Sequence, residues 1–446
     1  MKGRWMVGLV LLMILFAASV LAQGAEKPLT LEESVKIALE RDLRLQSAIE
    51  QIMASEFRRR AAFAEFLPKW TGQYSYTRLD ETPHTESIIT GPSGKPVPTR
   101  IETGTRDNYT LNTTISQTLF AGGAIDANYH IEVLGLNISK VDSEAVKRDI
   151  VLLVREGYFI ILATEKLRTI GEQNVKLLEA QLEVTKAFFE VGIVPKNDVL
   201  QAEVRLSNAR QQLVRADNAV SLAKSSFNNL LRRDVNEALE VVDILEYKPF
   251  PLRFEDCLDE ALEKRPEIRS LELKVDQAKE SVRLAKSGFY PTVGLSGNYS
   301  RFGDEPWVDG TRFREPYSWN VGGLITFTLG DWGRVGHRVS ESKVKVTQTE
   351  NSKNQVVESI VLEVKRGYLN VIEAEKNIAV TEKAIEQAEE NLRMNEERYK
   401  YQVATQTEVL DAVTLLAQAR VNYLSALSDF NIARARLDRA MGKMYP

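Results

Sequence analysis

The side chains most often recruited for catalysis or metal binding are scarce and scattered in this 446-residue chain. Cys257 is the only cysteine, so neither an intramolecular disulfide nor a cysteine metal cluster can form. The three histidines, His84, His130 and His337, lie far apart in sequence. His84 follows Pro83 in a polar stretch that reads as an exposed loop. His130 and His337 follow the strings AGGA (from Ala121) and GDWG (from Gly330), which read as sharp strand-to-helix turns and need no bound phosphate to explain them. No HExxH, P-loop or GxSxG string occurs. The residues therefore point to no enzyme, no metal and no cofactor. A net charge of −4 and a pI near 5.8 argue against a nucleic-acid partner.

The elements that such a chain must build are clearer. Lys2 and Arg4 precede an apolar run from Trp5 to Leu21, and Val20-Leu21-Ala22 suits cleavage after Ala22. Residues 1–22 thus read as a secretory signal peptide. No cysteine stands directly after that point, so a lipid-anchored start is not expected. No later segment approaches ~20 uninterrupted apolar residues, the length of a transmembrane helix. An exported chain without one is either soluble or held in a membrane as a β-barrel, whose alternating strands give a weak hydropathy signal.

The chain is an internal duplication. The string beginning LEESVKIALERD at Leu31 pairs without a gap with FEDCLDEALEKR at Phe254, through Arg78 and Arg301. Ala38 falls on Ala261, Phe66 on Phe289, Pro68 on Pro291 and Tyr76 on Tyr299. A second block carries Gly157-Tyr158 onto Gly367-Tyr368 and NDVLQAEVRLSNAR from Asn197 onto TEVLDAVTLLAQAR from Thr407. The two blocks differ in offset, and polar stretches 79–108 and 302–317 absorb the difference, as loops do. We read residues 23–249 and 250–446 as two repeats of one unit: helix, strand, loop, strand, very long helix, tight turn, long helix.

Four segments alternate with period two. Trp70, Gly72, Tyr74 and Tyr76 oppose Thr71, Gln73 and Ser75; Tyr109, Leu111, Thr113 and Ile115 oppose Asn112, Thr114 and Ser116. Val293, Leu295, Gly297 and Tyr299 oppose Gly294, Ser296 and Asn298; Trp319, Val321, Ile325 and Phe327 oppose Asn320, Thr326 and Thr328. This is the pattern of a barrel strand with one lipid face and one wet face, or of an amphipathic soluble sheet. The smallest outer-membrane barrels have about eight strands, so four per chain require several chains to pool them.

From Ala124 to Phe189 there is no proline, and about 65 helical residues at ~1.5 Å each reach roughly 100 Å. The counterpart runs from Val335 to Tyr401. Val357, Val364, Val371, Ile378, Ile385, Leu392 and Tyr399 recur every seven residues, as do Val199, Leu206, Leu213, Val220 and Phe227 with Ala202, Ala209 and Ala216. Val409, Leu416, Tyr423, Phe430 and Leu437 repeat the seam. Heptads of this kind specify coiled-coil packing or an antiparallel bundle. The turns between long helices are short: Gly192 suits a helix stop, Asn197 an N-cap, and Thr405 or Thr407 caps the helix after the second turn.

In element order, in the phrases FLP (Phe66–Pro68) and FYP (Phe289–Pro291), in FEVGIVPKNDVLQAE, TEVLDAVTLLAQAR and the final RLDRAMG, the chain resembles the TolC-like outer-membrane efflux family over essentially its whole mature length. The resemblance implies an α+β membrane protein. Three chains would close a twelve-stranded outer-membrane β-barrel, four strands each, continued by a long α-helical coiled-coil tunnel across the periplasm. It implies a homotrimer in the outer membrane of a Gram-negative bacterium, working with a periplasmic adaptor (membrane fusion) protein and an inner-membrane pump as the exit duct of a tripartite efflux pump or type I secretion system.

The resemblance also implies a periplasmic aperture at the helical turns. Asp198, Glu408 and Asp411 match its carboxylate rings, and Tyr399 matches a gating aromatic. Gly192, Ile193, Val194 and Pro195, with Gln402, Val403, Ala404 and Thr405, match the tips that meet the adaptor. Ala404 stands where the family has an arginine and Gln402 where it has a glycine, which takes that arginine out of an Arg–Asp closing contact; Lys196 and Lys400 are the local candidates to replace it. The short-helix stretches 31–65 and 254–288 would form a belt around the tunnel. The rival reading is a soluble periplasmic coiled-coil scaffold or adaptor.

Overall fold

The computed structural model describes residues 28–444, so the export signal read at 1–22 lies outside it. The elements run α1 (Leu31–Arg41), α2 (Leu43–Ala64), β1 (Lys69–Arg78), β2 (His84–Thr90), β3 (Pro96–Glu102), β4 (Asp107–Ala121), α3 (Ala124–Glu190) and α4 (Lys196–Leu230) in the first repeat. The second repeat gives α5 (Phe254–Lys264), α6 (Pro266–Lys286), β5 (Thr292–Gly303), β6 (Tyr317–Thr326), α7 (Arg334–Lys400) and α8 (Gln406–Ala440). The two long helices have 67 residues each and their return helices 35 each.

The chain forms two compact units, and neither coincides with a repeat. One comprises residues 51–140 and 270–353; the other holds the remaining described residues of both repeats.

The first unit carries an antiparallel sheet in the order β1-β4-β5-β6. Its register sorts the residues by face. One row reads Thr71–Thr114–Asn298–Asn320 and its neighbour Trp70–Ile115–Gly297–Val321. On the polar face the side chains bond across strands: the Thr114 hydroxyl donates to Asn298 Oδ1 (2.7 Å), Asn298 Nδ2 to Asn320 Oδ1 (3.0 Å), and the Ser300 hydroxyl to Asn112 Oδ1 (2.6 Å). The opposite face is aromatic and aliphatic. A bulge at Leu119 then shifts parity, so that Phe120 pairs with Val293 and stays on the apolar face. Both outer strands, β1 and β6, keep an unpaired edge.

Stretch 79–108, expected as exposed loop, contains a second hairpin of β2 and β3 beyond the four expected strands. The physical reason is Ile88, Ile89 and Val97 flanking a short PSGK turn, a β-branched pattern that tolerates Pro98 in a two-stranded ribbon. Where β4 hands over to α3, Gly122 has φ +63°, and a Cβ there would lie 2.5 Å from the Ser287 carbonyl oxygen. Only glycine fits that bend.

The second unit is a helical core. Ile150, Val154, Tyr158 and Ile161 of α3, Phe227 of α4, Ile360, Val364 and Val371 of α7, and Phe430 and Leu437 of α8 close on Leu31, Val35, Cys257 and Ala261 of the short helices. Each such aliphatic or aromatic side chain contributes about 1.5–3 kcal/mol by leaving water. On α4, α7 and α8 many of the buried residues, Phe227, Val364, Val371, Phe430 and Leu437 among them, fall on the heptad seams. A separate cluster toward the helical turns joins Val175, Leu178 and Leu182 to Leu206, Leu392, Val409 and Leu416. No helix of the described residues is long and apolar enough to cross a membrane.

Candidate functional site

The two turns joining the long helices fold alike. The Gly192 N–H donates to the Phe189 carbonyl (2.9 Å) and the Ile193 N–H to that of Phe188 (2.8 Å); Gln402 and Val403 do the same to Tyr399 (3.0 Å) and Arg398 (2.9 Å). Both satisfy helix-terminal carbonyls with a left-handed residue. Gly192 takes φ +76° at no steric cost, whereas Gln402 takes φ +61°, a strain of about 1 kcal/mol for a residue with a Cβ.

The helices that leave the turns are capped differently. Thr405 caps α8: its hydroxyl accepts from the Glu408 N–H, and Glu408 Oε1 accepts from the Thr405 N–H (3.2 Å) and hydroxyl (3.0 Å). The cap expected at Thr405 or Thr407 is therefore Thr405, which forms a capping box with Glu408. Asn197, expected as the cap of the first return helix, lies inside it, because α4 begins at Lys196 behind Pro195, which has no side-chain cap bond. Pro195 fixes φ and needs no donor, which starts the helix two residues early.

The three carboxylates near the turns, Asp198, Glu408 and Asp411, have unequal surroundings. Glu408 is held by the cap and by Arg398 Nη1 at 3.3 Å, with Arg398 Nη2 donating to the Val403 carbonyl (3.1 Å). The Thr405 backbone N–H, then its hydroxyl and Arg398, keep the Glu408 carboxyl below the usual range. Asp411 pairs with Arg205 across α4 and α8 at 3.2 Å. Asp198 sits in the first turn of α4, where the helix dipole favours a negative charge, and has no cationic partner among the described residues. Of the lysine candidates, Lys400 pairs with Glu397 at 3.0 Å, one turn back on its own helix. Arg398, overlooked in the sequence, takes the bridging part within its turn; its signal was a basic residue in the last turn of α7.

Tyr399 is buried within the chain. It is 4% exposed, its ring stacks obliquely on Phe188 (5.4 Å), and burial pushes its pKa up. Beside it lies a buried polar group that sequence reading missed. Gln181 Nε2 donates to Gln406 Oε1 (3.0 Å), and the Thr185 hydroxyl donates to the Gln181 carbonyl (2.8 Å). The Gln406 Nε2 is buried with no hydrogen-bond partner. No sequence signal distinguished Gln181 or Gln406 from exposed helix glutamines. By contrast, Val191, Ile193, Tyr401 and Val403 are exposed apolar side chains at the turn tips.

Sequence comparison settles the family. The outer membrane efflux protein family matches residues 35–231 and again 257–443, most of the chain. The chain belongs to this family. Among relatives, it is similar to the outer membrane protein TolC of Vibrio cholerae (24% identical, covering 67% of this chain and 69% of that protein). It is also similar to the alkaline protease secretion protein AprF of Pseudomonas aeruginosa (22% identical, 92% and 83%). Its fold matches the solved Campylobacter jejuni CmeC outer membrane channel with a TM-score of 0.76 at 17% identity over 92% of this chain and 85% of that one. As a family member, the chain is an outer-membrane channel subunit of an efflux or secretion system in a Gram-negative bacterium, and family members are channel proteins. The soluble scaffold reading falls away with that assignment.

Proposed function

We propose that three copies of this chain assemble as a homotrimer, pooling β1, β4, β5 and β6 into one twelve-stranded barrel. The carrying observation is a sheet with a polar face, an apolar face and two open edges. Unpaired edges cannot stand in a bilayer, and closure removes them. Two exposed apolar stripes support the same reading: Leu200, Val204, Val214 and Leu222 on α4, and Leu362, Leu369, Val380 and Met394 on α7. Each repeat, 23–249 and 250–446, supplies two strands and one helical hairpin, so neither is an independent channel.

In this reading the helical turns form the periplasmic aperture. Asp198, Glu408 and Asp411 line it, with Tyr399 packed behind them as a support for the turn. The tips at Gly192–Pro195 and Gln402–Thr405 present Val191, Ile193, Tyr401 and Val403 to a periplasmic adaptor, which couples the duct to an inner-membrane pump. Because Glu408 and Asp411 each have an arginine partner, Asp198 supplies the dominant uncompensated charge. Three copies make a negative ring that favours cations. Native mass determination and planar-bilayer recording test both parts. A trimer conducting with cation preference is expected, with the preference lowered in Asp198→Asn; a monomer or dimer overturns the assembly, and unchanged selectivity in Asp198→Asn removes the ring.

A further inference from the structure

The sheet register carries two arginines, Arg78 and Arg301, onto the face that lipid covers. Even-numbered residues of β1 and odd-numbered residues of β4, β5 and β6 share that face, in rows such as Trp70–Ile115–Gly297–Val321 and Gly72–Thr113–Tyr299–Trp319. The next row toward the loops is Tyr74–Leu111–Arg301–Tyr317. Arg301 therefore lies among aromatic and aliphatic outward residues, not on the Thr, Asn and Ser face.

Its depth follows from the strand. Val293 lies near the helix end of β5, and eight residue steps of ~3.4 Å at a tilt of ~40° put Arg301 roughly 20 Å further along the membrane normal. The lipid-facing apolar band of such barrels is about 25 Å tall, so Arg301 falls at its loop-side rim. The long helices leave the opposite strand ends, which makes the loop side the outer leaflet.

The neighbouring cations are already engaged. Arg78, one row beyond the Tyr76–Tyr109 pair, lies 3.3 Å from Asp107 Oδ1, which also accepts the Tyr76 hydroxyl (2.8 Å). Arg312 pairs with Glu102, and Arg314 lies over the Phe302 ring. Among the described residues Arg301 has no carboxylate partner. Tyr317 lies directly across from it and Tyr299 two residues before it, their rings 6.5 Å apart. Tyrosines with an apolar ring and a polar tip belong at the headgroup level. An unpaired guanidinium there matches a phosphate, which it can grip through two parallel hydrogen bonds.

We propose that Arg301, flanked by Tyr299 and Tyr317, binds a phosphate of the glycolipid headgroups in the outer leaflet. This rests on the outward orientation of the apolar sheet face and on no particular subunit number.

The full-length protein in detergent is titrated with a phosphorylated glycolipid and with the same glycolipid stripped of its phosphates, with bound lipid counted by native mass spectrometry. The phosphorylated form is expected to bind, the stripped form at least about tenfold more weakly, and Arg301→Gln to weaken the phosphorylated form about tenfold, while Arg301→Lys keeps part of the affinity. Inorganic phosphate at millimolar concentration is expected to leave the lipid in place. Equal binding of the stripped glycolipid, or undiminished binding by Arg301→Gln, overturns the proposal, as does displacement by free phosphate. The two glycolipid arms use the natural chain, so they decide the matter even if Arg301→Gln does not assemble. Conductance of the same preparation reports on the channel separately: conducting oligomers without phosphate-selective lipid sink only this inference.

Discussion

The buried amides near the helical turns give a prediction whose sign differs between two residues in mutual contact. In the native chain Gln181 and Gln406 share one hydrogen bond of 3.0 Å, and Gln406 Nε2 has no partner. A buried donor without an acceptor costs about 1–3 kcal/mol. Gln181→Leu removes the only bond that Gln406 makes and leaves both ends of its amide unpaired, so it destabilises the tip by about 1–3 kcal/mol. Gln406→Leu strands the Gln181 donor but also removes an amide that was already unsatisfied, and the two effects roughly cancel. Replacing both by leucine removes every unpaired amide atom and adds apolar surface to the adjoining Leu178–Leu182 cluster. The double variant is therefore more stable than the native tip by about 1–3 kcal/mol. Hydrogen exchange of the amides in the last turns of α3 and the first turns of α8 reads this local opening, with about 1.4 kcal/mol per tenfold in rate. Expected are tenfold or faster exchange in Gln181→Leu, near-native exchange in Gln406→Leu, and slowed exchange in the double variant. Exchange in the double variant faster than in Gln181→Leu would refute the reasoning, because it would mean that the amides support the tip.

Two further outcomes follow from close packing and from burial. Gly157 and Gly367 occupy matching places in the repeats, but a Cβ at Gly157 would lie 2.8 Å from the buried Phe227 ring, and one at Gly367 3.3 Å from Leu437 Cδ1. Overpacking of about 1–3 kcal/mol should outweigh the ~1 kcal/mol helix gain in Gly157→Ala and only balance it in Gly367→Ala, so the thermal unfolding midpoint drops in the first alone. Burial raises the Tyr158 hydroxyl to about 12, while its oxygen lies 2.7 Å from the Val242 carbonyl oxygen and 3.0 Å from that of Leu29. The folded pKa exceeds the unfolded value near 10, so this stabilisation is complete below about pH 10 and is lost as pH rises toward 12. Tyr158→Phe should be less stable at pH 8, by about 1 kcal/mol, and should lose less of its stability between pH 10 and 12; an unchanged alkaline slope would show that Tyr158 does not govern it.

The heptads were the most legible part of the sequence. Val364, Val371, Ile378 and Leu392 are buried where the seven-residue seam places them. The same seam runs through Tyr399, which is buried as the periodicity requires. Strand parity was equally legible up to Thr118. Beyond it the bulge at Leu119 reversed the faces, and nothing in a period-two pattern marks where an extra residue will be left unpaired. The contacts near the helical turns were hidden for a different reason. Arg205 and Asp411 belong to different repeats, and only the packing of α4 beside α8 makes them a pair. Within each repeat the long and return helices also pair: Arg210 meets Glu179 at 2.7 Å, and their counterparts Arg420 and Glu389 meet at 2.9 Å.

The repeats part company most clearly at the joints of the short helices. In the gapless pairing Asp42 falls on Arg265 and Arg44 on Glu267, so one ion pair recurs with its charges exchanged. The exchange has a local cause and a distant one. Asp42 accepts the Arg44 N–H at 2.7 Å, an N-cap contact that an arginine cannot make. The second repeat starts α6 with Pro266, which has no N–H to satisfy. Freed from capping, Arg265 reaches away from its own joint: it is 4% exposed at its side chain, donates to Glu363 Oε2 (2.6 Å) and approaches the Ala440 carbonyl (3.4 Å) at the end of α8. Arg439 completes the group against Asp149, Glu267 and Glu363. Restoring the first repeat's order with Arg265→Asp and Glu267→Arg should therefore fail, although a local ion pair remains possible. It places a carboxylate beside Glu363 and removes the donor from the Ala440 carbonyl, a loss of about 3–5 kcal/mol as for any broken buried pair. Arg44→Ala, at a joint where the arginine is 52% exposed, should cost about 1 kcal/mol or less. Folded yield and thermal midpoint measure both. A charge-exchanged second joint as stable as the native one would mean that the local pair matters and the link from the short helices to the end of α8 does not.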